Sequence, residues 1–143
     1  MANAIEGLQP KLVWKYFAEI AKVPRPSKHE ERIIAYVLDT AKKLGLSAKK
    51  DSFGNVLITK SASNGKENVK MLCLQGHLYM VCEKNSDKKF DFMKDAIELV
   101  VNGNMLMANG TTLGADNGVA VATMLAIAEY KSLEHGPLEL LFT

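Results

Sequence analysis

Apolar positions in the first third of the chain recur at helical spacing. Over residues 9–23, Val13, Phe17 and Ile20 fall on one face, with Leu12 and Tyr16 beside them. Pro10 suits a first helical turn, where its missing N–H costs nothing, and Pro24 and Pro26 stop the run. Ser27-Lys28-His29-Glu30 then reads as a capping box, the Ser27 hydroxyl bonding the amide of residue 30 and Glu30 reaching back. The helix it introduces carries Ile33, Ile34, Val37, Leu38, Ala41 and Leu44 on one stripe. Lys42 and Lys43 complement its carboxyl end, and Gly45 ends it.

Beyond Gly45 the period shortens. Residues 47–50 and 55–59 are β-like, with a turn around Phe53-Gly54, and residues 61–68 form a polar loop. Val69 to Gln75 is an apolar run too short for a buried helix; it predicts a central, parallel strand. Residues 97–101 and 105–108 flank Asn102-Gly103, a hairpin signal. Residues 117–131 form a helix apolar almost all round, which must be buried or sandwiched. After the Gly136-Pro137 break, residues 138–142 read as a last apolar strand. The alternation predicts an α/β domain with a mixed, partly parallel sheet flanked by helices. Ligands of such sheets gather beyond the carboxyl ends of strands.

Composition narrows the function more than the fold. The chain has 143 residues, 48% of them hydrophobic, enough for one domain with a real core. A net charge of +2, evenly spread, gives no footprint for nucleic acid. No apolar stretch has the length of a bilayer span, and residues 1–7 lack the basic start and apolar core of a signal peptide. The two cysteines, Cys73 and Cys82, lie in or beside apolar segments and read as reduced, buried thiols. Together these imply a cytoplasmic protein.

Two residues stand out chemically. His77 follows a strand with only Gly76 between, and that glycine lets the chain turn toward a cleft. Asp116 sits in Gly110-Thr111-Thr112-Leu113-Gly114-Ala115-Asp116-Asn117-Gly118, directly before the apolar helix. A histidine at a strand end can be a hydrogen-bonded structural residue, and an aspartate at a helix start can be its N-cap. Glycines at four-residue intervals and the neighbouring hydroxyls of Thr111 and Thr112 exceed what a cap requires. Such a rigid turn suits a carboxylate held toward a dication. The segment has neither the Gly-Lys-Ser/Thr ending of a P-loop nor the dinucleotide fingerprint. His29 and His135 read as structural or neutral loop and helix-start residues.

The stretches Leu74-Gln75-Gly76-His77-Leu78-Tyr79-Met80-Val81-Cys82-Glu83-Lys84-Asn85 and residues 110–118 resemble the aminoacyl-histidine dipeptidases. These are also called cytosol non-specific or beta-alanyl-histidine dipeptidases. They belong to the two-zinc superfamily that includes aminoacylases and carboxypeptidases. Pro24-Arg25-Pro26-Ser27-Lys28-His29-Glu30-Glu31, residues 51–55 and residues 135–139 extend the likeness to nearly the whole chain. The resemblance implies that residues 1–143 are the N-terminal part of a zinc-dependent dipeptidase catalytic domain. It implies His77 as a ligand of one zinc, Asp116 as the carboxylate bridging both, and a cis peptide bond after Asp116. The family reaction is metal-assisted hydrolysis of dipeptides, of Xaa-His type and broader, by a zinc-bound water and a glutamate base.

The chain departs from the family pattern in two places. Tyr79 stands where the pattern His-x-Asp has the carboxylate that orients the histidine ring, and it is expected to impair the site. Family members also continue beyond the position of Thr143 into a paired glutamate motif, one glutamate the base and the other a ligand. A catalytic zinc takes about three protein ligands and a structural one about four. The matched positions supply two, so weak or absent zinc binding and no activity of the 143 residues alone are expected. The other reading is a non-catalytic degenerate fragment, or a module needing a separately encoded second half. Beyond the dipeptide substrate, the one partner implied is a second copy, through uncovered apolar surface.

Overall fold

The computed structural model describes residue 5 and residues 7–143; most of the 1–7 stretch assessed for a signal peptide therefore lies outside the described residues. Helix α1 spans Lys11–Ala21 and α2 spans Glu31–Lys43. The strands β1 (Ser47–Lys50), β2 (Val56–Lys60) and β3 (Leu72–Gly76) follow, then the ribbon β4 (Leu99–Asn102) and β5 (Met105–Ala108). Helix α3 (Ala115–Glu129) and strand β6 (Leu138–Phe142) complete the domain. Among the described residues no helix is long and apolar enough to cross a membrane.

The main sheet has the order β1-β2-β6-β3. β1 and β2 pair antiparallel, β2 and β6 antiparallel, and β6 and β3 parallel. The sheet is therefore mixed and partly parallel, as the alternation of elements predicts. Register places Ala48, Ile58, Leu140 and Leu74 in one cross-strand row, and Val56, Phe142 and Gly76 in the next. These residues share a face, because side chains alternate across a strand. On it Val56, Ile58, Leu140 and Phe142 are fully buried in one core with Ile33 and Val37 of α2, Phe17 and Ile20 of α1, and Val121 and Leu125 of α3. Leu57, Leu141, Cys73 and Gln75 occupy the opposite face and stay exposed or half-buried.

Helix α3 is apolar all round because it lies between α1 and the β3 end of the sheet. Its last carbonyls are capped from the sheet. Lys60 Nζ donates to Ile127 O (2.6 Å) and Tyr130 O (3.0 Å), the cation meeting the negative end of the helix. Helix α1 is tied to the same end through Glu129, which accepts from Lys15 (2.7 Å) and Tyr16 (2.6 Å). The Lys15 contact, then that of Tyr16, holds the Glu129 carboxyl below its ordinary range.

Four sequence expectations change. The capping box does not form: Lys28 adopts φ 70°, so residues 28–30 cannot make the helical first turn that a Ser27 cap requires. Glu30 instead accepts the Lys28 amide at 2.7 Å, and α2 begins without a side-chain cap. Pro10 sits at the N-cap of α1 rather than within its first turn. β3 is an edge strand, not a central one; an apolar run does not distinguish the two, and Val69, Met71 and Leu72 remain about half exposed. Cys73 is exposed on the open face and Cys82 half-buried, although both are free thiols.

Candidate metal centre

The parallel pair β3–β6 builds the platform. Thr143 N donates to Gly76 O (3.0 Å) and Leu78 N to Thr143 O (2.7 Å), so the ladder continues one step past both strands. His77 lies between these bonds, at the carboxyl end of β3. Gly76 is not a hinge here. A Cβ on it would stand 3.1 Å from Ala120 Cβ and 3.6 Å from Asn117 Nδ2. Its bare Cα lets α3 press against the strand end, which brings Asp116 beside His77.

His77 Nε2 lies 3.0 Å from Asp116 Oδ1, and His77 Nδ1 lies 3.0 Å from the main-chain oxygen of Tyr79. A carbonyl cannot donate, so Nδ1 carries the proton and donates it. In the neutral ring Nε2 is then a bare lone pair facing a carboxylate oxygen, two acceptors in contact. Only a proton or a cation shared between them satisfies that arrangement. The Asp116 side chain is 95% exposed and that of His77 24%.

Asp116 is not the cap of α3. The N-cap is Gly114, in the left-handed conformation at φ 71°, and Asp116 and Asn117 have non-helical dihedrals before the regular turns begin. The peptide bond between them is cis, as the family resemblance implies. The carboxylate is presented outward, toward the histidine. Thr112 is occupied elsewhere: its hydroxyl donates to Val81 O at 2.7 Å and straps the 81–84 segment to the glycine-rich loop. A shallow cleft of about 290 Å³, lined by Val81, Thr112, Leu113, Gly114, Ala115 and Asp116, opens beside the carboxylate. Tyr79 stacks its ring on His77 with centroids 4.3 Å apart and planes 24° from parallel. Its side chain supplies no carboxylate, but its carbonyl orients the ring.

Sequence reasoning passed over Arg25. It is 3% exposed and lies under both loops. Nη1 donates to Leu78 O (3.0 Å) and Tyr79 O (3.4 Å), and Nη2 to Gly114 O (2.6 Å). Burial pulls its pKa down to about 10, so it is still a cation at neutral pH. His29 is exposed ahead of α2, and His135 is a loop residue whose ring bonds Gly136 O at 2.7 Å. Neither joins His77. Among the described residues no group of three or more histidine, cysteine or acidic side chains comes together to hold a metal.

The donor types, one imidazole nitrogen and one carboxylate oxygen, fit zinc, though two are fewer than a full ligand set. A mixed sheet covered by helices on one face, with this pair beyond a parallel strand end, has the fold of a peptidase α/β domain. Solved structures bear that out. An aminopeptidase from Bacillus cereus ATCC 10987 superimposes with a TM-score of 0.74 at 21% identity, over 92% of this chain and 35% of its own. A tripeptidase from Staphylococcus aureus does so with a TM-score of 0.72 at 19% identity, over the same shares.

Two proteins resemble the chain in sequence as well, an aminoacylhistidine dipeptidase and a cytosol non-specific dipeptidase. The aminoacylhistidine dipeptidase from Vibrio alginolyticus matches with a TM-score of 0.96 and 42% identity over 99% of this chain. The cytosol non-specific dipeptidase of Escherichia coli (strain K12) is 46% identical over 141 residues. The chain spans 29% of the length of each of these two relatives. No family model matches it.

Proposed function

We propose that this chain carries part of a dinuclear zinc dipeptidase centre, with His77 a ligand of one ion and Asp116 the bridging carboxylate. The observation that carries this reading is the approach of His77 Nε2 to Asp116 Oδ1 at 3.0 Å, with Nδ1 already turned to a carbonyl. The substrate class is a dipeptide, Xaa-His among them, as the relatives' names suggest. The cytosol, named in one of them, is the compartment the reading implies. Zinc, when bound, polarises the scissile carbonyl and lowers the pKa of a bound water. The chain's own contribution is to fix the donors: Tyr79 O sets the tautomer of His77, and the start of α3 sets Asp116.

Two donors leave most of a coordination shell to be supplied from elsewhere. A polypeptide of these 143 residues alone is therefore expected to bind zinc weakly and not to turn over beta-alanyl-histidine. That favours, for the isolated polypeptide, the reading of a module that is not catalytic by itself. Chelator-sensitive turnover by the isolated polypeptide would overturn it. Tyr79→Asp restores the carboxylate of the family pattern and is expected to raise zinc affinity about 10–100-fold. Competition against a chelating dye measures this; an affinity unchanged by the substitution would show that the Tyr79 carbonyl suffices.

Val69 and Met71 just ahead of β3 and Leu72 at its start, each about half exposed, form the apolar surface through which copies are expected to associate. Sedimentation velocity tests this, and a single monomeric species across the concentration range contradicts it.

A further inference from the structure

The two candidate ligands sit on loops far apart in the chain, and one side chain reaches both. Arg25 Nη1 donates to Tyr79 O, the same carbonyl that receives His77 Nδ1–H. Arg25 Nη2 donates to Gly114 O, the same carbonyl that accepts the Gly118 amide and so closes the turn holding Asp116. We propose that Arg25 is the positioning residue of the pair: one buried guanidinium fixes the main-chain carbonyls that aim His77 and Asp116 at each other.

The chemistry suits arginine. Its planar fork holds several donors at fixed angles, whereas the ammonium of lysine is a point charge on a flexible stem. Hydrogen bonds from a charged donor are roughly twice as strong as neutral ones, so carbonyls can hold the buried cation in place of a carboxylate. The loops also cross on the main chain, where Met80 N donates to Arg25 O at 3.0 Å. The glycines of the 110–118 segment take on a specific meaning. A Cβ at Gly114 would stand 2.6 Å from Arg25 Nη2, and one at Gly118 2.8 Å from the same atom. Two glycines one helical turn apart thus form the seat of the guanidinium, and Arg25, Gly114 and Gly118 act as one device.

The inference rests on the ligand reading of His77 and Asp116, and its test separates the two. Arg25→Met keeps an unbranched apolar stem and removes the charge and the fork. With histidine ring nitrogens labelled, at a pH where imidazole is neutral, the unsubstituted protein is expected to show His77 as the Nδ1–H tautomer. Its two ring-nitrogen resonances are then well separated. In Arg25→Met, with folding verified by circular dichroism, they are expected to move toward tautomer-averaged positions. His135, held by its own bond to Gly136 O, serves as the unchanged internal reference.

Zinc affinity is expected to fall about tenfold or more, as for the loss of other groups that orient a ligand. A folded Arg25→Met protein with the His77 tautomer and zinc affinity unchanged would overturn the proposal. Should that variant not fold, Gly118→Ala decides: it keeps the cation and displaces Nη2, and an unaltered His77 spectrum there overturns the proposal equally. Absence of any zinc response in the unsubstituted protein refutes the ligand reading alone, because the tautomer of the variants still decides the role of Arg25.

Discussion

Phe142→Ala is expected to destabilise the domain by about 3–5 kcal/mol, the usual cost of emptying a fully buried aromatic position. Phe142 is 0% exposed and closes β6, the strand between β2 and β3. Its cross-strand partners are Val56 on one side and Gly76 on the other. The ring fills space that no neighbour can recover, since Gly76 has no side chain. Against a typical total of about 5–15 kcal/mol the loss is severe, and it corresponds to a fall in melting temperature of about 6–20 °C. The same strand end carries the ladder bonds around His77, so the ring position should loosen with the core. Denaturant unfolding followed by circular dichroism measures the change. Phe53→Ala, at a ring 92% exposed, is the matched control and should stay within about 0.5 kcal/mol. Equal, small effects at both positions would contradict the placement of β6 at the centre of the sheet.

Asp116→Asn carries the largest expected effect on the site. It preserves shape and removes the negative charge of the pair. Loss of a group that only orients a ligand costs about 10–100-fold in metal affinity. Loss of the ligating charge itself should therefore exceed about 100-fold, which for a weak two-donor site means that zinc binding disappears from the accessible range. Folding should be almost untouched, because the carboxylate is 95% exposed and caps no helix. That separation is the signature of a site residue. A cap would give the reverse: a loss of about 1 kcal/mol in stability and no change in metal affinity. Calorimetric titration with zinc, alongside a thermal melt, distinguishes the two.

Much of this architecture is legible in the sequence because its signals are local. The stripe from Ile33 to Ala41 gives α2, and the run Leu138–Phe142 gives β6 at the observed bounds. The pairing of Asn102 with Met105 confirms the hairpin, its loop falling on Gly103-Asn104, one residue later than the Asn-Gly signal suggests. His77 and Asp116 were legible as motifs, and the fold brings them together. What failed were inferences that depend on partners distant in sequence. β3 reads as central from its apolarity, yet strand order is set by which strands find it. The Ser27-to-Glu30 pattern matches a capping box, yet a left-handed Lys28 defeats it. Arg25 left no local signal of its role. Its carbonyl partners at Leu78 and Gly114 lie 53 and 89 residues away, and carbonyls have no residue-type signature. The available hint was an arginine confined between two prolines, together with glycines four residues apart that offered room for something.

On the proposed reading, His77 Nε2 and Asp116 hold a zinc ion between them. The chain has three histidines, so their ring resonances can be resolved individually. Adding zinc to the labelled protein is expected to shift His77 Nε2, leave its Nδ1 proton in place on the Tyr79 carbonyl, and leave His29 and His135 unmoved. In Asp116→Asn the His77 response should vanish over the same range of zinc. A response confined to His29 or His135, or a His77 response undiminished in Asp116→Asn, would contradict the account.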